Sequence, residues 1–195
     1  MPDKYLIVGL GNPGREYREN RHNVGFMTLD RLAQELGLAF TRRQSDALYA
    51  AGRMGDIPLV LAKPQRYMNR SGRPVASLLK FHEIPLARLL VIFDELDLPL
   101  GTIRLRPEGG TSGHHGMESI VEALGTQIVP RLRFGIGRPP GRMDGAAYVL
   151  QDFGADEKPI VEATIARAAE AVEAFVKEGI VAAMNRFNAG TSEAD

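Results

Sequence analysis

The chain has 195 residues, 44% of them hydrophobic and 25% charged, with no cysteine and a formal net charge of zero; this suffices for one well-buried core and excludes a disulfide framework, a thiol nucleophile and a cysteine-ligated metal. No stretch reaches the apolar length that spans a bilayer, and the opening MPDKY lacks a secretory pattern, so a cytoplasmic protein is expected. The zero sum hides an asymmetry: residues 155–195 hold eight acids against four bases, leaving residues 1–154 at +4, and 19 of the 24 bases are arginine, the side chain whose planar fork suits phosphate.

Residues 4–9 form an apolar run of strand length closed by glycines, the pattern of a buried strand. Val24, Met27, Leu29, Leu32 and Leu36 then recur at three- and four-residue spacing up to Gly37, which predicts a helix with a glycine stop. The stretch ALYAAGRMGDIPLVLAKP predicts a hairpin turning at Gly55-Asp56. A helix over about 72–82, a buried strand in RLLVIF, a strand in GTIRLR, a helix over about 114–124 and a strand in RLRFGIG follow. Val161, Ile165, Ala168, Val172 and Phe175 mark a long amphipathic helix from Pro159 to a stop at Gly179, with a shorter helix from Ile180 to Phe187. Strands separated by helices predict an α/β fold: a single domain over residues 1–189, with a twisted, mixed, largely parallel β-sheet flanked by helices, and a flexible tail over 190–195.

In such sheets ligands collect at the carboxyl ends of the strands. Three loops qualify: GLGNPG after the first strand, DELDLP after RLLVIF, and GGTSGHHG before the helix near 114. The first contains G-x-G-x-x-G, the fingerprint of a dinucleotide-binding turn. Its context is wrong, because Pro13, Gly14 and REYRENR precede any helical periodicity and the acid at the right distance, Asp30, falls inside the predicted helix. What the loop supplies is Asn12, followed by His22 where the helix begins. The positive end of a helix disfavours imidazolium and keeps such a ring available as a base. Asp94 ends a buried strand of the same sheet, so the two can face one crevice in the pairing by which a carboxylate fixes an imidazole tautomer. Asp94, Glu95 and Asp97 as turn caps is the plainer reading. Without cysteine or G-x-S-x-G, the nucleophile activated by such a pair is water.

Five segments, VGLGNPGREYRENRHNVGF, YMNRSG, FDELDLPLG, GGTSGHHGM and RLRFGIGRP, together resemble the bacterial peptidyl-tRNA hydrolase family, in order and at family-like spacing across essentially the whole chain. The resemblance implies a cofactor-free monomer that hydrolyses the ester joining a peptide to the 3′ end of tRNA, releasing tRNA from stalled or aborted translation. It makes His22 the base that activates water and Asp94 the group that stabilises its active form, while Asn12 helps distinguish an N-blocked peptidyl ester from a free aminoacyl ester. Tyr17, Tyr67 and Asn69 match substrate-binding positions, with Asn69 holding the peptide backbone. Arg106 and Arg133 match positions that clamp the tRNA 5′ phosphate, and Arg104 adds backbone contacts. The partner implied is peptidyl-tRNA, engaged at its 3′ CCA end, acceptor stem and 5′ phosphate, with no membrane involvement and no metal.

The third loop departs from the family pattern, which carries a further glycine where Ser112 stands and an asparagine where His115 stands. An imidazole cannot present a carbonyl and an NH₂ side by side, so His115 is expected to line the site with altered geometry. A metal site built from His114, His115, Glu118 and Asp94 or Asp97 is disfavoured because adjacent histidines diverge. Arg104 and Arg106 alternate on one strand and so share a face; Arg131 and Arg133 repeat the arrangement. Some relatives of this fold bind RNA without hydrolysing it, as a chloroplast splicing factor does. Retention of Asn12, His22, Asn69 and Asp94 favours the enzyme.

Overall fold

The structure, a computed structural model, describes residues 3–188; the tail expected over 190–195 lies outside them. Strand β1 (Tyr5–Gly9) leads through the GLGNPG loop and two single 3₁₀ turns into α1 (Val24–Leu36), which stops at Gly37 in the left-handed conformation the glycine was expected to supply. The short β2 (Arg42–Gln44) and the hairpin β3 (Ala47–Met54) and β4 (Ile57–Pro64) follow, with Gly55 at φ 59° in the turn. Then come α2 (Gly72–Phe81), β5 (Leu89–Glu95), β6 (Ile103–Arg106), α3 (His115–Leu124), β7 (Arg131–Gly135), the single-turn α4 (Gly145–Val149), α5 (Lys158–Glu178) and α6 (Ile180–Phe187).

Among the described residues the strands make one seven-stranded sheet in the order β2-β3-β4-β1-β5-β7-β6. Its centre, β4-β1-β5-β7, is parallel and its margins are antiparallel. Alternation along each strand sends side chains to two cores. Ile7, Leu90, Ile92, Leu132 and Phe134 pack on one face with Leu29, Ala168, Val172 and Phe175 of α1 and α5. Leu6, Val8, Val91 and Phe93 pack on the other with Val75 and Leu78 of α2 and Met117 and Ile120 of α3. Strands β4, β1 and β5 bury apolar side chains on both sides, as a parallel sheet covered on both faces requires, whereas β7 carries Arg131 and Arg133 on one of its faces.

This packing accounts for Gly9 and Gly11 among the opening glycines. A Cβ on Gly9 would lie 2.3 Å from the carbonyl oxygen of Gly25, and one on Gly25 would lie 2.4 Å from the amide of Leu10 and 2.5 Å from the carbonyl of Ile92. Backbone meets backbone there, and α1 crosses β1 more closely than any side chain allows. Of the fingerprint-like glycines, Gly14 answers to its own backbone at φ 118°, and Gly9 and Gly11 to close contact with α1. That contact also sets α1, and His22 before it, directly over the carboxyl ends of β1 and β5.

Candidate active site

Asn12 follows β1, and His22 occupies the 3₁₀ turn Arg21–Asn23 that leads into α1. The loop is fixed by reciprocal bonds: the Asn12 amide donates to Asn23 Oδ1 and Asn23 Nδ2 donates to the Asn12 carbonyl, each at 2.9 Å. The Asn12 Oδ1 accepts from the Met68 amide at 2.9 Å, so its NH₂ is the group it has left to offer. Beside His22, Arg21 is buried: it donates to the Asp152 carbonyl at 2.6 Å and to Glu157 at 2.7 Å, and its guanidinium stacks over Tyr148.

Asp94 lies within β5, 3% exposed, so the turn-cap reading fails for it. His22 Nδ1 stands 2.9 and 2.8 Å from its two carboxylate oxygens, and His114 Nε2 stands 2.8 Å from Oδ1. Burial pushes the Asp94 carboxyl up, but the two imidazoles facing it prevail and hold it well below the usual carboxylate range. His114 is the N-cap of α3, and its Nδ1 accepts the amides of Gly116 and Met117 at 3.1 and 3.2 Å. An accepting Nδ1 puts the proton of this neutral ring on Nε2, which donates to Asp94. Asp94 then takes the Nδ1–H of His22, which turns the lone pair of His22 Nε2 outward.

These groups line one cavity of about 470 Å³, which contains Asn12, Tyr17, His22, Tyr67, Asn69, Asp94 and His115. Every expected residue outside the arginine set is therefore brought together. His115, the residue in place of the family asparagine, sits at the rim with its side chain 74% exposed and its Nδ1 4.0 Å from Glu118. Ser112, also in the lining, adopts φ 52°, the left-handed backbone that the family's glycine would take without strain. Leu96, from the second loop, and Ala146, Val149 and Leu150, from the α4 segment, supply an apolar wall.

The arginines lie elsewhere, on the α2/α3 face of β6 and β7. The antiparallel register sets Arg104 opposite Arg133 and Arg106 opposite Arg131, one block of four. They are not equivalent. Arg131 is 1% exposed and donates to the carbonyls of Val129, Gly110 and Gln127, so it ties down the loop before β7 and does not repeat the surface arrangement expected of it. Arg104 is buried, and Arg133 lies 3.2 Å from Glu95, itself buried in β5. Burial raises the Glu95 carboxyl above its ordinary value against the opposing pull of Arg133.

Sequence reading missed His114 as part of the site, weighing it only as a metal ligand. His22, Asp94 and His114 do form a cluster whose potential ligand atoms all lie within 4.8 Å of one another, the one such group among the described residues. It differs from the expected set, because His115 and Glu118 are not in it. Its atoms are engaged as donors and acceptors at hydrogen-bond distance, and the protonated Nε2 of His114 has no lone pair for a cation.

No helix among the described residues is long and apolar enough to cross a membrane. A solved peptidyl-tRNA hydrolase from Acinetobacter baumannii superposes with a TM-score of 0.89 at 36% identity, over 97% of this chain and 96% of that one. The peptidyl-tRNA hydrolases of Mycobacterium ulcerans and Chloroflexus aggregans are each 50% identical, the first over 97% of this chain and its own full length, the second over 94% and 98%. The family model described as Peptidyl-tRNA hydrolase matches residues 6–195, and with the fold and the cavity in agreement the chain belongs to the peptidyl-tRNA hydrolase family.

Proposed function

We propose that the chain cleaves the ester between a peptide and the 3′ end of tRNA by way of a water molecule activated by His22. One observation carries the assignment: an imidazole fixed by a buried carboxylate through Nδ1, with Nε2 turned into a cavity that also offers amide donors. Water in that cavity gives a proton to His22 Nε2 as its oxygen bonds to the ester carbonyl carbon. The same proton then passes to the departing ribose oxygen as the ester bond breaks. Asp94 orients the ring and offsets the positive charge it gains in between. An ester is already reactive, so orientation and stabilisation of the oxyanion are the main demands.

Asn12 offers its NH₂ from a loop fixed on both sides, which suits a carbonyl of the peptidyl part and so distinguishes a blocked from a free amino group. Asn69 contacts the peptide backbone, and Tyr17 and Tyr67 flank it as apolar walls. His115 contributes at the rim. Arg106, with Arg104 and Arg133 beside it, takes tRNA phosphate, while the 3′ CCA end enters the cavity. On this reading the chain works as a monomer in the cytoplasm, where peptidyl-tRNA arises. A binding protein that had abandoned catalysis would have no need of the oriented His22–Asp94 pair.

The test is incubation with N-acetyl-aminoacyl-tRNA. The unaltered chain should release tRNA and His22→Ala should be slower by on the order of 10³-fold, within the span of general-base effects. Equal rates would refute the role of His22, and no release by the unaltered chain would refute the activity.

A further inference from the structure

A second hollow opens beside the catalytic cavity, and the two share Asn69. It lies between the start of α2 and the outer face of α3, with Asp46 of the β2–β3 turn at its rim, and encloses about 610 Å³. Three guanidinium groups line it: Arg66, Arg70 and Arg73. Two carboxylates stand among them. Asp46 pairs with Arg66 at 3.1 Å, whereas Glu122 makes no ion pair with Arg70 or Arg73 within 4.0 Å. Arg70 and Arg73 are exposed, and the Gly72 amide that opens α2 is already bonded to Ser119 Oγ at 2.9 Å, so the two guanidinium groups supply the positive charge. The hollow is thus a basic extension of the site.

Its position decides between the two halves of the substrate. The sheet order β4-β1-β5-β7-β6 puts the catalytic groups on the β1 and β5 ends, with Arg104, Arg106 and Arg133 on one flank and the segment after β4 that carries Arg66, Arg70 and Arg73 on the other. An ester held at His22 joins a nucleic acid to a peptide. If the β6/β7 flank takes the tRNA, as proposed above, the peptide leaves on the opposite side, past Asn69.

We infer that the Arg66–Arg70–Arg73 hollow is a peptide subsite, which receives the residues one to three positions before the esterified one and favours acidic side chains. The inference rests on the peptidyl-tRNA reading and adds to it a preference among peptides. Arg70 and Arg73 supply the selection, since Arg66 is already offset by Asp46. Extended chain advances roughly 3.3 Å per residue, so a tripeptide reaches farther past Asn69 than an acetyl-aminoacyl group does, and the two lengths separate the hollow from the catalytic cavity.

The experiment measures kcat/KM on one tRNA carrying acetyl-Asp-Asp-Gly, acetyl-Ala-Ala-Gly, acetyl-Lys-Lys-Gly or acetyl-Gly. The expected order for the tripeptides is Asp, Ala, Lys, with about a fivefold spread between the ends, the scale of one or two partly exposed ion pairs. Arg70→Glu/Arg73→Glu should invert that order and leave acetyl-Gly within about twofold, a span inside the usual effect of a remote surface change. Arg70→Gln/Arg73→Gln should flatten it, and thermal melts of both variants establish that they are folded. Unchanged order in the charge-reversed variant overturns the inference, as does an equal loss on all four substrates, which would make the hollow a tRNA contact. Failure of the unaltered chain to cleave acetyl-Gly would instead overturn the hydrolase reading itself.

Discussion

Asp94→Asn tests the centre of the site with a change of one atom. In the structure Asp94 accepts from two rings, and the two are not equally free to adapt. His114 is held as an Nε2–H donor because its Nδ1 is occupied by the amides of Gly116 and Met117. The single oxygen of an asparagine would therefore face His114, and its NH₂ would face His22. To meet that donor, His22 Nδ1 must become an acceptor, which moves the proton to Nε2 and removes the lone pair that faces the cavity. The variant keeps its shape and loses its base. A fall in kcat on the order of 10³ is expected, equivalent to about 4 kcal/mol of barrier, read in single-turnover release of N-acetyl-aminoacyl-tRNA. Stability should move as well. A carboxyl held below its ordinary value stabilises the fold at pH above that ordinary value of about 3.9, and the contribution is lost as pH falls toward the folded value. Acid unfolding of the unaltered protein thus includes a step that Asp94→Asn lacks. A variant within about threefold of full activity, well inside the usual reach of general-base loss, would refute the tautomer argument.

Three further substitutions separate positioning from structure. His114→Ala removes an N-cap worth about 1 kcal/mol and one donor to a buried carboxylate worth about 1–3 kcal/mol, so the melting temperature should fall by roughly 5–10 °C; activity should drop only on the order of tenfold, because Asp94 still holds His22, and a stable variant as dead as His22→Ala would contradict this. Ser112→Gly relieves a left-handed backbone at a cost in unfolded-state entropy, for a net gain of roughly 0.5 kcal/mol, and a lowered melting temperature would count against strain at that residue. Arg106→Ala should raise KM for full tRNA substrates more than for a minimal ester lacking the 5′ phosphate, whereas Arg131→Met should lower stability by about 2–4 kcal/mol, by stranding buried carbonyls, without that selectivity. Identical KM patterns for the two would dissolve the distinction between them.

Much of the fold was legible because its signals are periodic and long. Strands β1, β4 and β5 bury apolar side chains on both faces and the helices carry complete apolar stripes, so β1, α1, the β3–β4 hairpin, α5 and α6 fall where spacing placed them. What escaped was short or borrowed. The three residues of β2 are mainly exposed and have no alternation of their own; they are strand because β3 offers them an edge. The five residues of α4 begin at the Asp144 cap and are too few to show a helical period. The arginine block shows another limit. Alternation correctly put Arg131 and Arg133 on one face, but depth along a strand depends on which loop covers it, and the segment around Gly110 takes up the Arg131 guanidinium.

His114 explains why part of the site could not be read from residue types. Its position in the chain asks for an acceptor to cap α3, and its position in space asks for a donor to Asp94. Serine, threonine, aspartate or asparagine meets the first demand, yet each is too short to carry a donor across to the carboxylate from the same seat. A neutral imidazole has an acceptor and a donor on opposite edges of a rigid ring, so it does both and is thereby fixed in one tautomer. Asp94, which as a carboxylate only accepts, takes the Nδ1–H of His22 beside it, and that contact leaves Nε2 of His22 toward the cavity. Position 115, one residue on, points to the rim and takes no part in this chain of bonds. The departure from the family pattern therefore falls where the base and its orientation do not depend on it.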